Sequence, residues 1–233
     1  MTSDNTFNGF PKETVKFYKD LKKNNSKKWF EAHREDYDNF VIDPARSFVS
    51  AMGEKLRKIA PGVHAEPKIN KSIFKIHRDV RFSKDKTPFK THLGLWFWDG
   101  VLPRMECSGF YFHLDPPNLY IGSGLYMFPK EHMAEFRKSV VNDKFGSQLV
   151  RAINKITKDG TYELGGNRGK KVPRGYDPDH KRADYLLFKG IFVGLAAKIP
   201  KEFYNVKLVD YCFNHYKKMA PFHYWLYDMI ERI

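Results

Sequence analysis

The sequence predicts an α+β fold: one domain in which a largely antiparallel sheet of four or more strands is flanked by N-terminal and C-terminal helices. Two patterns carry this expectation. Apolar residues recur at helical spacing through 11–60, shift to strand-like alternation and short runs through 68–127, and return to mainly helical spacing over 129–233. The candidate strands are joined by short connections, which suit antiparallel neighbours. A third observation concerns size. With 233 residues, 42% hydrophobic and 16% aromatic, the chain can bury a core without staples. No linker separates two cores, so 1–233 reads as a single domain.

Pro11 opens a first helix that runs to about Asn24, with Asn24-Asn25 as a left-handed stop. Ser26 caps a second helix bearing Trp29, Phe30, His33, Tyr37 and Phe40. Asp43-Pro44 starts a third, striped by Phe48, Val49, Met52, Leu56 and Ile59 and ended by Pro61-Gly62. Phe74, Ile76 and Arg78 alternate with Lys75 and His77 as a half-buried strand would. Residues 91–98 make the next strand, turned by Asp99-Gly100, and 107–114 and 118–127 make two more around Asp115-Pro116-Pro117-Asn118. Helices are expected over 130–141 and over 144–157, the latter striped by Leu149, Ala152, Ile153 and Ile156. Glycine and proline break up 159–181. A short helix and an apolar segment fill 185–197. Helices from Pro200 and from Pro221 end the chain, with Phe203, Val209, Cys212, Phe213 and Tyr216 facing inward.

Several function classes are excluded early. Cys107 and Cys212 form neither a disulfide framework nor a metal-type pair, so a reducing, cytoplasmic setting is expected. No apolar run approaches a membrane span, and Met1 to Asn5 lacks the basic start of a signal peptide. The formal charge is +14, and it is segmental: residues 12–28 carry +5, 68–92 carry +6, 165–182 carry +4, and the remainder is close to neutral. In 12–28 the lysines flank Val15, Tyr18 and Leu21, as on the wet side of an amphipathic helix.

The other two basic segments are candidates for anion handling. In 77–92, Arg78, Arg81, Lys84, Lys86 and Lys90 can converge on an anion, with Asp79 and Asp85 fixing their rotamers. In 165–182, glycines let backbone amides approach a ligand, and Arg174 and His180 are the candidates for a second wall of the same site. His92 and His113 are the candidate proton-transfer groups, and Tyr111 supports them by sharing a strand face with His113. Neither Asp177, Asp179 and His180 nor His77, Asp79 and His92 has zinc-site spacing, so no metal or other cofactor is called for. A serine-hydrolase elbow and the RNP motif are both missing. Trp96, Phe97 and Trp98 read as core rather than as a base-stacking platform.

The run Arg78-Asp-x-Arg-Phe-Ser-Lys-Asp-Lys-x-Pro-Phe-Lys-x-His92 resembles the signature of a bacterial and fungal family of conserved hypothetical proteins, a domain of unknown function. Phe89 stands where that pattern usually has tyrosine. Three other segments agree: Leu21-x-x-Asn-Asn-x-x-x-Trp-Phe with His33 and Tyr37, Gly122-x-Gly-Leu-Tyr-Met127, and Pro173-Arg-Gly-Tyr-Asp-x-Asp-His180. The resemblance implies one family domain and no particular activity. The residues themselves leave three readings: a basic site for a phosphate-bearing ligand, nucleic acid foremost; an enzyme acting on a small anionic metabolite; and an interaction module for an acidic protein partner. Sequence leaves the oligomeric state open.

Overall fold

A computed structural model describes residues 6–233; Met1 to Asn5, the stretch read for a signal peptide, lies outside them. The architecture is α+β. Its helices are α1 (Lys12–Lys23), α2 (Lys27–Ala32), α3 (Arg34–Tyr37), α4 (Asp43–Leu56), α5 (Lys130–Val141), α6 (Asp143–Thr157), α7 (Ala183–Leu186) and α8 (Lys207–Ile230). Its strands are β1 (Val63–His64), β2 (Leu93–Asp99), β3 (Gly109–Asp115), β4 (Asn118–Leu125), β5 (Glu163–Gly165) and β6 (Ile191–Lys198). They form an antiparallel sheet in the order β1-β2-β3-β4-β6-β5.

Contacts within the chain cluster into two compact units. One comprises the described residues up to Phe97, Tyr111–Ile121 and Ala196–Asn214; the other comprises Trp98–Phe110, Gly122–Leu195 and His215–Ile233. The first unit is built on phenylalanine. Phe10 stacks on Phe203 at 4.9 Å between centroids, and Phe48 meets Phe112 at 5.0 Å. Helix α1 buries Val15, Phe17, Tyr18 and Leu21 and leaves its lysines wet, as its pattern predicts. In the second unit Phe110 packs against Tyr216 and His223, and Phe136 against Phe128 and Trp225.

Some expectations are corrected. Helix α1 does not end in a left-handed residue: Asn24 has φ −127°, and its amide side chain instead donates to Asp20 O. Ser26 does cap α2, accepting from Trp29 N. The expected second helix breaks at His33 and passes through a π-turn, Asp38–Ile42, into α4. Pro44 explains this turn, because it cannot donate to the carbonyl of Phe40. The Thr14 hydroxyl donates there in its place. Residues 74–78 alternate in exposure as predicted but pair only through isolated bridges, not as a continuous strand.

Residues 129–233 are mainly helical, with β5 and β6 among the helices. Pro221 does not begin a helix; it sits inside α8. Gly124, in β4, has φ +145°, and a Cβ there would lie 2.4 Å from Ile191 O, so only glycine lets this backbone approach. The Trp96, Phe97 and Trp98 run is buried.

Candidate functional site

The first unit brings together three of the predicted site residues. Residues 74–78 and 88–94 run antiparallel: Phe74 N donates to Gly94 O, Lys90 N to Ile76 O, and Arg78 N to Pro88 O. Between the first two of these bonds one arm has Lys75 alone, while the other has Thr91, His92 and Leu93. The pairing therefore bulges, and His92 lies in the bulge, where a side chain is re-aimed out of register. Its ring centroid is 4.4 Å from that of His113. His113 Nδ1 in turn lies 2.9 Å from the Tyr111 hydroxyl.

Period two along β3 puts Tyr111 and His113 on one face, half-buried, while Phe110 and Phe112 are buried on the other. Gly94 leaves the space that the phenol fills: a Cβ there would lie 2.8 Å from Tyr111 Oη and 3.2 Å from Phe74 Cδ2. Phe74 packs edge-on to Tyr111, and Lys90 Nζ sits over the Phe74 ring while donating to Lys75 O at 3.0 Å.

Burial pushes His92 down to about 4, with His113 and the Lys90 charge acting the same way. Burial also lowers His113, against an opposing pull from Asp115. Tyr111 is pushed up to about 12 by burial. At neutral pH the cluster thus holds two uncharged imidazoles and a protonated phenol. When the phenol donates to Nδ1, the ring proton of His113 sits on Nε2.

Cations in and beside the 79–87 loop bond to acceptors of the chain itself. Arg78 Nη1 donates to Asp85, to Thr87 O and to the Thr87 hydroxyl. Arg81 closes a two-pronged pair with Asp79 at 2.7 and 3.0 Å. Lys86 Nζ crosses the loop to Val80 O at 2.9 Å. Both acids are held at about 2, Asp79 by Arg81 and Asp85 by the Thr87 N–H and Arg78. Arg78, Arg81 and Lys86 therefore have acceptors within the segment, and Lys90 has one just outside it, at Lys75 O; Lys84 is exposed and has none among the described residues.

Arg174 and His180 belong to the second unit. Arg174 is exposed. His180 Nδ1 accepts from Arg182 N, and Asp177 Oδ1 accepts from Asp179 N, so these residues shape a chain of turns.

A family model of conserved hypothetical proteins, DUF2461, matches residues 13–225. The chain belongs to that family. No curated protein matches the sequence. The matched span covers the four segments that carry the resemblance, and residues of those segments have physical roles in the structure. Asn25 clamps the backbone of Phe89, donating to its carbonyl at 2.9 Å and accepting from its N–H at 3.1 Å. Phe89 itself is buried and stacks on Phe30 at 4.3 Å, which a ring without a hydroxyl does well. Gly124 admits the Ile191 backbone, and the 173–180 turns deliver Arg182.

Arg182 is a residue that sequence reasoning missed. Its side chain is buried, and its guanidinium donates to the carbonyls of Val140, Val141 and Asn142 and to Asp143 Oδ1. It closes the C-terminal end of α5 against the start of α6. A second missed group joins Ser108 Oγ to His223 Nδ1 at 3.0 Å and His223 Nε2 to Asp99 Oδ2 at 3.1 Å. The residue types are those of a catalytic triad, but Ser108 and His223 have no exposed surface. A nucleophile that no substrate reaches ties elements together instead. No local signal marks this group, because His223 is more than a hundred residues from both Asp99 and Ser108 in sequence.

Proposed function

We propose that the His92, His113 and Tyr111 cluster is a binding site for a small anionic ligand, with the imidazoles as its proton-transfer groups. The observation that supports this is the contact between two depressed, half-buried histidines from different segments, one of them hydrogen-bonded to a phenol. Two uncharged imidazoles beside Lys90 are short of negative charge. A phosphate or carboxylate in contact with them reverses the electrostatic cost of protonating one ring. Neutral His92 is then a base in the free site, and it becomes an acid once the ligand's charge raises its pKa. Tyr111, protonated throughout, supplies a fixed hydrogen bond that orients His113. The family's shared activity would accordingly be an enzyme reaction on a small anionic metabolite, rather than the nucleic-acid reading that total charge first suggests. The engagement of Arg78 by Asp85 and Thr87 favours this order.

The test is a thermal-shift screen over phosphorylated and carboxylated metabolites, followed by calorimetry of any hit in two buffers of different ionisation enthalpy. A ligand at 100 times its Kd raises stability by about 2.7 kcal/mol. Binding at pH 6 should take up a proton, and His92→Gln should bind with less uptake. Equal stabilisation and equal uptake in wild type, His92→Gln and His113→Gln would remove the cluster from the site.

A further inference from the structure

We propose that the tip of the 79–87 loop is a docking surface for single-stranded nucleic acid, with the Phe82 ring as a stacking platform for one base. Phe82 is 95% exposed, the most exposed large apolar side chain among the described residues. The backbone that carries it is ordered by the loop's own bonds. Ser83 N donates to Val80 O, the Asp79 carboxylate grips Arg81, and Lys86 Nζ ties Val80 O across the loop. A ring presented by a preorganised loop costs little ordering entropy on binding, which is what a recognition element needs.

The chemistry around the ring selects the partner. Arg81 uses Nε and Nη2 on Asp79, and Nη1 has no acceptor among the described residues; its guanidinium carbon lies 5.7 Å from the Phe82 centroid. Lys84 is exposed and uncommitted among the described residues, and Lys86 is exposed with a donor to spare. Arg81 thus lies beside the ring, and Lys84 and Lys86 follow it in the same loop. A phosphodiester strand carries a charge at every base it presents, and every base offers a π-face. An anionic membrane asks for more apolar area than one ring, and Val80, the other apolar residue of the tip, is only half exposed. An acidic peptide supplies charge but no flat face.

The experiment is fluorescence anisotropy of a labelled short oligothymidylate against the full chain at low salt. Three phosphate contacts give a slope of about −2 in log K against log salt. Phe82→Ala should weaken binding about tenfold at unchanged slope, Phe82→Trp should restore it, and Lys84→Ala should reduce the slope by about 0.7. Because Phe82 takes no part in the core, the thermal melt of Phe82→Ala should match wild type. His92→Gln should bind the oligonucleotide as wild type does, which separates this surface from the histidine site. Absence of binding, wild-type affinity in Phe82→Ala, or tighter Phe82-dependent binding to phosphatidylserine vesicles or polyglutamate would overturn the proposal.

Discussion

Replacing His92 by glutamine should flatten the loss of stability on acidification. In the unfolded chain His92 titrates near 6.5, and in the folded protein at about 4. Between those values the unfolded state binds the proton and the folded state does not, so stability falls as pH drops from about 6.5 and levels off near 4. At pH 4.5 nearly two pH units of this gap are in play, or about 2–3 kcal/mol at 1.36 kcal/mol per unit. Partial exposure of the ring trims this to about 2 kcal/mol. Glutamine keeps polar atoms at the bulge but does not titrate. Urea unfolding at pH 7.5 and pH 4.5, with the slope checked for constancy, measures the difference directly. Asp79 and Asp85, held at about 2, lose their contributions mostly below pH 4 and do so equally in both proteins. If wild type and His92→Gln lose the same stability between the two pH values, His92 is not held uncharged by its surroundings.

Other perturbations test the scaffold. Gly94→Ala drives a Cβ to 2.8 Å from Tyr111 Oη, so it should cost about 1–3 kcal/mol in urea unfolding and shift the His113 ring resonances as the Tyr111 hydrogen bond breaks. Asn25→Ala removes both bonds to the Phe89 backbone and should cost about 1–3 kcal/mol, read by the same unfolding assay and by faster exchange of the Phe89 amide. Arg182→Met takes the guanidinium from the buried carbonyl of Val140 and the half-buried residue Val141, while the exposed Asn142 and Asp143 keep other donors, and should cost about 2–3 kcal/mol. Arg182→Lys should recover less than half of that, because a point charge cannot replace a planar fork.

What the sequence made legible, and what it hid, follows from how local each cause is. Helices α1, α4, α5 and α6 follow from apolar spacing and caps within one segment, and the shared face of Tyr111 and His113 follows from the period of a strand. Strand β6 was harder, because Ile191, Val193 and Gly194 are buried in a run without polar alternation, which leaves its type undecided. Pro221 offers the same local chemistry at the start of a helix and inside one. The π-turn before α4 depends on Thr14, twenty-six residues away from the carbonyl it satisfies. The basic loop showed its acids and bases in the sequence, but whether Lys86 turns to a ligand or to Val80 O is settled by loop curvature, which composition does not contain. The histidine site is the sharpest case. Its meeting of His92 with His113 exists because the pairing of 74–78 with 88–94 gives way to a bulge. A pattern argument assumes regular alternation, and here the candidate site is made by the interruption of it.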